Sequence, residues 1–433
     1  MEWYFGAGLV ALAILTLLAM RMPLGFVFGV VGAAGIVITT GRFSVLTAVA
    51  QSLHDMLSDF VLITVPLFVL MAELLSAGEF IPELYTSFEK LAGRLRGSLS
   101  IATIVASAMF AAVCGSSYVT AASLGKMTLP EMLDRAYKKE LASGSVAAGG
   151  SLGILIPPSL AFVIYGYMSG ASIAALFIAG IIPGFILAGL FVVSIIVWTK
   201  LSPAIAGTGY RVSWGEKFRS LIKIIPVALL AVFLLAIIYL GMSTPAEAAA
   251  LGCLFSVLLC LFYRKLKWKM LIEGVRRTVA TSGFLLLLMG TAKILGFMMA
   301  KAGIMYGLQG ILTALPKSIF VLVLYFTVAF MGLFLEGTSI IVLTTPIFAP
   351  AVSAVGLDLV WYGVVLVLFI EIALLTPPVG MNCYIVAEIG KSFGIKLEDV
   401  FRGVMPFLIA LAIAVVLVTL LPNLALWLPS TMR

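Results

Sequence analysis

Long apolar runs separated by short polar segments make up most of this chain. Two examples are GAGLVALAILTLLAM at residues 6–20 and FLIALAIAVVLVTLLPNLALWL at residues 407–428. Neither alternates apolar and polar residues as a barrel strand does, and about 20 apolar residues in a helix cross a hydrocarbon core of about 30 Å. The pattern therefore predicts an all-α polytopic membrane protein. In the first half, we place crossing helices over residues 3–20, 24–40, 58–77, 143–170 and 172–198.

One apolar segment, residues 98–130, is interrupted near its centre by Gly115, Ser116 and Ser117. Its two pieces, each of about 15 residues, reach only about 23 Å as helices, which is shorter than the hydrocarbon core. Basic residues flank the segment on both sides, and basic loops favour the cytoplasm. We therefore expect a re-entrant helical hairpin that enters and returns on the cytoplasmic side. The flanking residues are Lys90, Arg94, Arg96, Arg135, Lys138 and Lys139.

The chain also contains an internal repeat. The segments ILIPPSLAF and LLTPPVGMN place Pro157-Pro158 and Pro377-Pro378 220 positions apart, and the same offset brings Pro130 onto Pro350. The repeat predicts two hairpins, over residues 98–130 and 318–350, and two broken helices, over residues 143–170 and 359–390.

The repeat also predicts how the chain is divided and oriented. We expect a first repeat over residues 1–200, a cytoplasmic linker over 201–220 and a second repeat over 221–433. Five crossings per half is an odd number, so the second repeat should be inverted in the membrane. The predicted fold has two inverted repeats with about ten crossing helices plus two re-entrant hairpins.

Composition and charge agree with a membrane protein. The chain is 63% hydrophobic and 11% charged, whereas soluble domains carry about 25% charged residues. Its net charge of +8 is interpreted as a topology signal rather than a nucleic-acid-binding surface, because most lysines and arginines fall in loops predicted to be cytoplasmic when both termini are periplasmic. With one histidine and four cysteines that show no CxxC spacing, we expect no enzyme.

The paired breaks suggest a transport site. Unpaired backbone groups at membrane depth are costly unless protein, water or ions satisfy them. Proline frees a carbonyl one turn earlier, hydroxyls add oxygen ligands suited to sodium, and the helix N-termini after each break favour an anion. Inverted repeats with broken helices are typical of secondary transporters. A purely structural subunit would not need these breaks, and the chain has no GxxxxGK[ST] motif for ATP.

Four segments resemble a known family. GSSYVTAASLGKMTLPEM, SVAAGGSLGILIPPSLAFVIYG, STPAEAAALG and LLTPPVGMNCYIVAEI are similar to the large membrane subunit (M, DctM-type) of tripartite ATP-independent periplasmic (TRAP) transporters. The resemblance implies sodium-driven import of an organic acid, such as a dicarboxylate or sialic acid, by an elevator mechanism in the bacterial inner membrane. It also implies two partners: a periplasmic substrate-binding protein and a small four-helix membrane subunit, which we expect to be a separate chain.

The resemblance further implies ligands for two or more sodium ions and for one carboxylate. The expected sodium ligands at the first break are Gly115, Ser116, Ser117, Gly153, Ile156 and Pro157. The expected sodium ligands at the second break are Gly337, Thr338, Ser339, Ala373, Thr376 and Val379. The expected substrate-binding residues are Ser117, Tyr118, Thr120, Ser159, Thr338 and Asn382.

Several alternatives stay open at this point. The chain can instead be a stand-alone sodium- or proton-coupled carboxylate transporter of related fold. Proton coupling would use Glu336, Glu371 or Glu388, and Glu336 can also cap a half-helix or join the ion site. Lys126 either assists the substrate or extends to the membrane interface. Glu73 and Lys293, related by the repeat offset, form a further hypothetical pair.

Overall fold

A computed structural model describes residues 3–78, 80–93, 95–207 and 212–432, and these contain twenty α-helices and no β-strand. Those of the first half are α1 (Trp3–Ala19), α2 (Leu24–Thr40), α3 (Val45–Leu57), α4 (Thr64–Ala77), α5 (Phe80–Ala92), α6 (Ser98–Cys114), α7 (Ser117–Asp134), α8 (Lys139–Ser151), α9 (Leu160–Ser169) and α10 (Ile173–Leu201). Those of the second half are α11 (Trp214–Tyr239), α12 (Pro245–Phe262), α13 (Trp268–Lys301), α14 (Ile304–Thr313), α15 (Lys317–Gly332), α16 (Gly337–Ala354), α17 (Leu359–Leu375), α18 (Met381–Gly390), α19 (Leu397–Leu420) and α20 (Asn423–Ser430). Short 3₁₀ helices cover Phe60–Ile63, Leu152–Ile154, Pro203–Ile205 and Lys391–Phe393.

The apolar helices confirm the prediction of an all-helical membrane protein. Among the described residues, seven helical segments are long and apolar enough to cross a membrane. These are residues 60–77 together with α10, α11, α12, α13, α16 and α19.

The helix boundaries differ from the sequence-based ones at the prolines. Helix α7 continues past Pro130 to Asp134, and α16 continues past Pro346 and Pro350 to Ala354. A proline inside a helix removes one N–H and kinks it, but surrounding helices can accommodate that loss. Each of these arms therefore has 18 residues and reaches about 27 Å, longer than the predicted half-length pieces.

Part of the predicted linker between the halves is helical. Helix α10 extends to Leu201 and α11 begins at Trp214, so much of 201–220 is helical. Positions 208–211 of that linker lie outside the described residues, as do the terminal residues 1–2 and 433 and two of the predicted cytoplasmic arginines, Arg94 and Arg211.

Helices that correspond under the repeat offset make corresponding contacts. Helix α2 packs against α13, and its counterpart α12 packs against α4. Helix α7 packs against α18, and its counterpart α16 packs against α9. We call α6–α7 and α15–α16 the first and second hairpins, and α8–α9 and α17–α18 the first and second broken helices. The second arm of each hairpin thus contacts the second part of the broken helix from the other half.

The most buried part of the molecule surrounds the broken helices. In α8, every residue from Leu141 to Ser151 is buried. Its small residues allow a close backbone approach to α19, where a Cβ placed on Gly144 would overlap the carbonyl of Gly403. Small residues at such crossings let membrane helices pack tightly. This packing fixes the position of α8 against α19, and α8 leads directly into the first break.

Candidate functional site

The first hairpin turns at residues 115–117, which we call the first tip. Gly115 ends α6 in the left-handed conformation, with φ of 64°, and its N–H donates to the Ala111 carbonyl at 3.1 Å. Ser116 is extended, and its side chain makes no capping hydrogen bond to α7. The hydroxyl of Ser116 is therefore free of the usual helix-capping role.

The first tip lies directly on the first broken helix. The Leu160 N–H donates to the Gly115 carbonyl at 3.4 Å, and the Ser117 hydroxyl donates to the Ser151 carbonyl at 3.2 Å. A Cβ on Gly153 would lie 2.6 Å from the Ser116 carbonyl oxygen. The structure therefore brings the predicted residues of the first tip next to the backbone of residues 151–160.

The buried hydroxyls near the first tip donate to backbone carbonyls. The Thr120 hydroxyl donates to the Ser116 carbonyl at 2.8 Å, and the Ser159 hydroxyl donates to the Ile154 carbonyl. Ser159 also caps α9 by accepting from the Phe162 N–H at 3.5 Å. Each donating hydroxyl retains acceptor lone pairs. Both side chains therefore still present oxygen atoms near the break, although the Ser116 carbonyl also accepts from the Thr120 N–H at 3.1 Å.

The second hairpin turns at residues 336–339, the second tip, where Glu336 caps α16. Its carboxylate accepts from the N–H groups of Thr338 at 3.0 Å and Ser339 at 2.7 Å, and from the Ser339 hydroxyl at 2.7 Å. A carboxylate at a helix N-terminus is favoured by the helix dipole. Of the three roles open to Glu336, the structure shows the capping role.

The two tips meet at a shared cavity of about 190 Å³. The Tyr118 hydroxyl donates to the Glu336 carboxylate across it at 3.4 Å. Helices α7 and α16 both begin at this cavity, but Glu336 occupies the first N–H groups of α16, so the N-terminus of α7 is the one without a side-chain cap. The predicted residues that line it are Gly115, Ser116, Ser117, Tyr118, Gly337 and Thr338.

One wall of the cavity comes from α13 and was missed from the sequence. Thr281, Phe284 and Leu285 line it together with Ile370 and Leu374 of α17. These residues lie in uninterrupted apolar helices, where no break or repeat distinguishes one position from the next. Only the packing of α13 against α16 brings them to the tips.

Three predicted substrate residues lie behind the cavity wall. Thr120, Ser159 and Asn382 are fully buried and are not among the lining residues. The Asn382 amide donates to the Ala147 carbonyl at 3.4 Å, while its oxygen has no hydrogen-bond partner in the described part of the chain. Asn382 therefore joins the second broken helix to α8 rather than facing the open space.

The ligands predicted for a second sodium ion are arranged differently from the first set. A Cβ on Gly337 would lie 2.5 Å from the Ile370 side chain, and Ala373 packs against Gly332. The Thr376 hydroxyl donates to the Ile372 carbonyl at 2.6 Å. Val379 is half-buried, and Pro377 and Pro378, unlike their buried counterparts Pro157 and Pro158, are exposed.

The other charged residues from the sequence analysis occupy separate places. Glu73 lies 3.7 Å from Arg277, so its ionic partner is Arg277, and the hypothetical pair of Glu73 with Lys293 is wrong. Lys126 is exposed. Glu388 is exposed and lies 4.0 Å from Lys391, whereas Glu371 is fully buried in α17 with no hydrogen-bond partner in the described structure.

Two helix breaks meet inside a bundle of membrane helices. This arrangement is typical of a multi-spanning membrane transport protein. Residues 11–424 match the family model of the tripartite ATP-independent periplasmic transporter, DctM component. The chain belongs to this family, which confirms the resemblance seen in its motifs.

Two relatives illustrate the family. The chain is 33% identical over 424 residues to the sialic acid TRAP transporter large permease protein SiaM of Vibrio cholerae serotype O1, covering 96% of each chain. It is 32% identical to the C4-dicarboxylate TRAP transporter large permease protein DctM of Pseudomonas aeruginosa, covering 88% of this chain and 89% of the relative. Because the relatives are transport permeases, the prediction that the chain is not an enzyme is confirmed.

A solved structure shares the fold. The Alcanivorax borkumensis YdaH transporter superposes with a TM-score of 0.62 at 14% sequence identity, covering 90% of each chain. At this identity the similarity concerns the helix arrangement alone.

Proposed function

We propose that this protein imports a small organic acid by sodium-coupled secondary transport, with the substrate bound between the two tips. The observation that carries the proposal is the shared cavity, where hydroxyls of both tips and the open N-terminus of α7 converge. Helix N-termini attract carboxylates, and hydroxyl and carbonyl oxygens suit sodium. The names of the relatives, which transport sialic acid and C4-dicarboxylates, support an organic acid as the substrate class.

The first sodium ion would bind between the first tip and the carbonyls of Gly153, Ile156 and Pro157. The contact of the Ser116 carbonyl with Gly153 supports this placement. The second ion would bind near Thr338 with Ala373, Thr376 and Val379, beside the exposed Pro377-Pro378 loop. Both ions are cargo that enters with the substrate.

Two or more sodium ions would also balance the charge of the substrate. Among the described residues, those lining the cavity include one carboxylate, Glu336, and no arginine or lysine. An organic anion placed there needs compensating positive charge. Sodium at both tips would supply that charge and couple uptake to the sodium gradient and to the membrane potential.

An elevator movement of the hairpins and broken helices would carry the site across the membrane. The exchange of packing partners between the two halves is what two related repeats produce. The proposed inversion, with the hairpins entering from opposite sides, is supported by the odd number of predicted crossings per half and by the basic loops. The basic loops support a topology with both termini in the periplasm and the linker in the cytoplasm.

The proposed transporter works with two partners in the bacterial inner membrane. A periplasmic binding protein would deliver the substrate, and a small four-helix subunit would cover part of the lipid-facing surface. Family membership supports both. The alternative is a related transporter that works without a binding protein.

Uptake into proteoliposomes tests the proposal, with the small subunit reconstituted and the binding protein added outside. Sodium and pH gradients are imposed separately. We expect accumulation of the carboxylate only with an inward sodium gradient. Accumulation driven by a pH gradient alone would show that the coupling ion is the proton and not sodium. Equal uptake without the binding protein would favour the stand-alone alternative.

A further inference from the structure

A cavity of about 600 Å³ lies where the first arm of the second hairpin meets α17, α19 and α20. Helices α15 and α19 both pack against α17, and the cavity opens between them over the first turns of α15 and α17. We call it the α15–α17 cavity. None of its described lining residues also lines the cavity between the two tips, so it is a separate site.

The α15–α17 cavity carries a positive and a negative charge that are not paired with each other. Lys317 donates to the Gly356 carbonyl at 3.3 Å, and its ammonium has further N–H donors. Asp358 caps α17 through one carboxylate oxygen, which accepts from the N–H groups of Val360 at 2.7 Å and Trp361 at 3.1 Å. Neither Lys317 nor Asp358 takes part in an ion pair between described residues. Both charges can therefore bind ligand groups of opposite charge.

The remaining lining is mostly apolar, and hydrogen bonds between helices fix its walls. The Trp361 indole N–H donates to the Val418 carbonyl at 3.0 Å, which joins α17 to α19. The hydroxyls of Tyr325 and Thr419 lie 2.6 Å apart, which joins α15 to α19. The protein thus holds the walls of this cavity in place by its own contacts.

An exposed apolar stripe continues from the cavity along α15. Leu322 lines the cavity and is 65% exposed. Phe326 and Phe330 follow it at intervals of four residues, which places the three side chains on one face of the helix. Both phenylalanines are exposed, and their rings stack on each other. The stripe is therefore an apolar surface that begins inside the cavity.

We propose that the α15–α17 cavity binds one phospholipid whose head group carries a primary ammonium, namely phosphatidylethanolamine. Its phosphate binds Lys317, its ammonium binds the remaining carboxylate oxygen of Asp358, and one acyl chain follows Leu322 and Phe326. Trp427, which is 59% exposed on α20, marks the level of the membrane interface beside the cavity. The proposed topology places this lipid in the periplasmic leaflet.

Charge complementarity favours this head group over the other common ones. An anionic head group would satisfy Lys317 but place no cation beside Asp358. A choline head group carries a positive charge but has no N–H to donate to the carboxylate. Phosphatidylethanolamine alone among the three supplies both the phosphate and an ammonium donor.

Native mass spectrometry of the full-length protein in detergent tests this proposal. Phosphatidylethanolamine, phosphatidylcholine and phosphatidylglycerol with the same acyl chains are added in turn, and we expect phosphatidylethanolamine to be retained best. Asp358→Asn should abolish its preference over phosphatidylglycerol, while asparagine still caps α17. Lys317→Gln should reduce retention of all three lipids about fivefold, because they share the phosphate.

The matched controls are Asp59→Asn and Lys301→Gln. Asp59 also caps a helix, by accepting from the Val61 N–H at 2.9 Å, and Lys301 is exposed at the end of α13. Neither lines the α15–α17 cavity, so both variants should keep the lipid preference of the wild type. Equal retention of the three lipids by the wild type, or retention in Asp358→Asn and Lys317→Gln equal to that in the controls, would overturn the proposal.

A further variant tests the cavity itself. Ser318→Trp places a large side chain at an exposed position of the cavity wall, and it should lose phosphatidylethanolamine while the protein remains monodisperse. Ser353→Trp is the control, because Ser353 is exposed near the end of α16 and lies outside the cavity lining. Unchanged retention in Ser318→Trp would overturn the proposal. Release of a co-purified small subunit by that variant, with lipid retention unchanged, would identify the cavity as a subunit interface instead.

Discussion

Gly115 has two separate reasons to be glycine. Its φ of 64° is a conformation that costs other residues about 1–2 kcal/mol. A Cβ there would also lie 2.7 Å from the Pro158 carbonyl oxygen. The first reason is local and common to many helix ends, whereas the second ties this residue to the first broken helix.

Gly115→Ala should therefore abolish sodium-driven uptake and lower the thermal stability of the protein. Gly170→Ala is the matched control, because Gly170 has a similar φ of 76° with no atom within 4 Å of a Cβ. The control carries the backbone strain without the overlap. Similar effects of both variants on uptake would mean that the contact with Pro158 is unimportant. Uptake and a thermal-shift assay measure the two quantities.

Ser116 and Ser117 differ in what their hydroxyls already do. Ser117 donates to the Ser151 carbonyl, whereas Ser116 forms no capping bond. Replacing both with alanine should raise the sodium concentration for half-maximal uptake about tenfold or more, since a hydrogen-bond-like contact to a charge is worth about 1.5–3 kcal/mol. Ser194→Ala, which removes only a bond within α10, is the control. An unchanged sodium dependence would show that these serines do not bind sodium and have only a structural role.

The capping role of Glu336 can be tested with substitutions that differ in how well they cap α16. Serine is a good N-cap and alanine is a poor one, with a difference of about 1 kcal/mol. If capping is the function of Glu336, Glu336→Ser should retain sodium-driven uptake better than Glu336→Ala, with the same sodium dependence as the wild type. Equal loss in both variants, accompanied by a changed sodium dependence, would instead assign the carboxylate to the ion site.

Among the helices, the contact of α8 with α19 positions the first break. Substituting Gly144 would drive a Cβ into the Gly403 carbonyl, and overpacking of this kind costs about 1–3 kcal/mol. A run of small residues, ASGSVAAGGS, precedes the break in the sequence. Their role becomes visible only when α19 lies against them.

Gly144→Ala should consequently destabilise the protein even though alanine favours helices. Gly296→Ala is the control, since Gly296 lies inside α13 with no atom within 4 Å of a Cβ, and there alanine should be neutral or slightly stabilising. Thermal unfolding in detergent measures both. A Gly144→Ala protein as stable as the control would show that α8 and α19 separate without cost.

For the molecule as a whole, the proposed topology predicts the side of the membrane from which each hairpin enters. Exposed positions on opposite sides of the predicted topology are Met242, between α11 and α12, and Ser202, after α10. The four native cysteines are buried, so they should react slowly, and labelling of an introduced exposed cysteine should stand out above their background.

Met242→Cys should react with a membrane-impermeant maleimide in spheroplasts, and Ser202→Cys should react only after the membrane is permeabilised. The proposed placement of both termini in the periplasm leads to this expectation. Sodium-driven uptake by each variant serves as the control for folding. The reverse labelling pattern would invert the topology and the proposed entry sides of both hairpins.

The sequence alone determined the membrane class, the repeat and the family, because long apolar runs, paired prolines and whole-chain motifs are local or periodic signals. It also located both tips, since Gly115 and Gly337 interrupt apolar segments that would otherwise continue. It placed the ends of α7 and α16 too early, because a proline inside a helix can be tolerated by neighbours that a sequence does not show.

Only the tertiary structure decided which residues share the cavity. Thr281 and Phe284 line it although they lie in an unbroken helix, whereas Asn382, beside a Pro-Pro break, faces α8 instead. Glu73 likewise pairs with Arg277 rather than with Lys293. Local pattern specifies where a helix breaks, but contacts between residues far apart in sequence depend on how the helices pack, and that packing is set by the shapes of many side chains together.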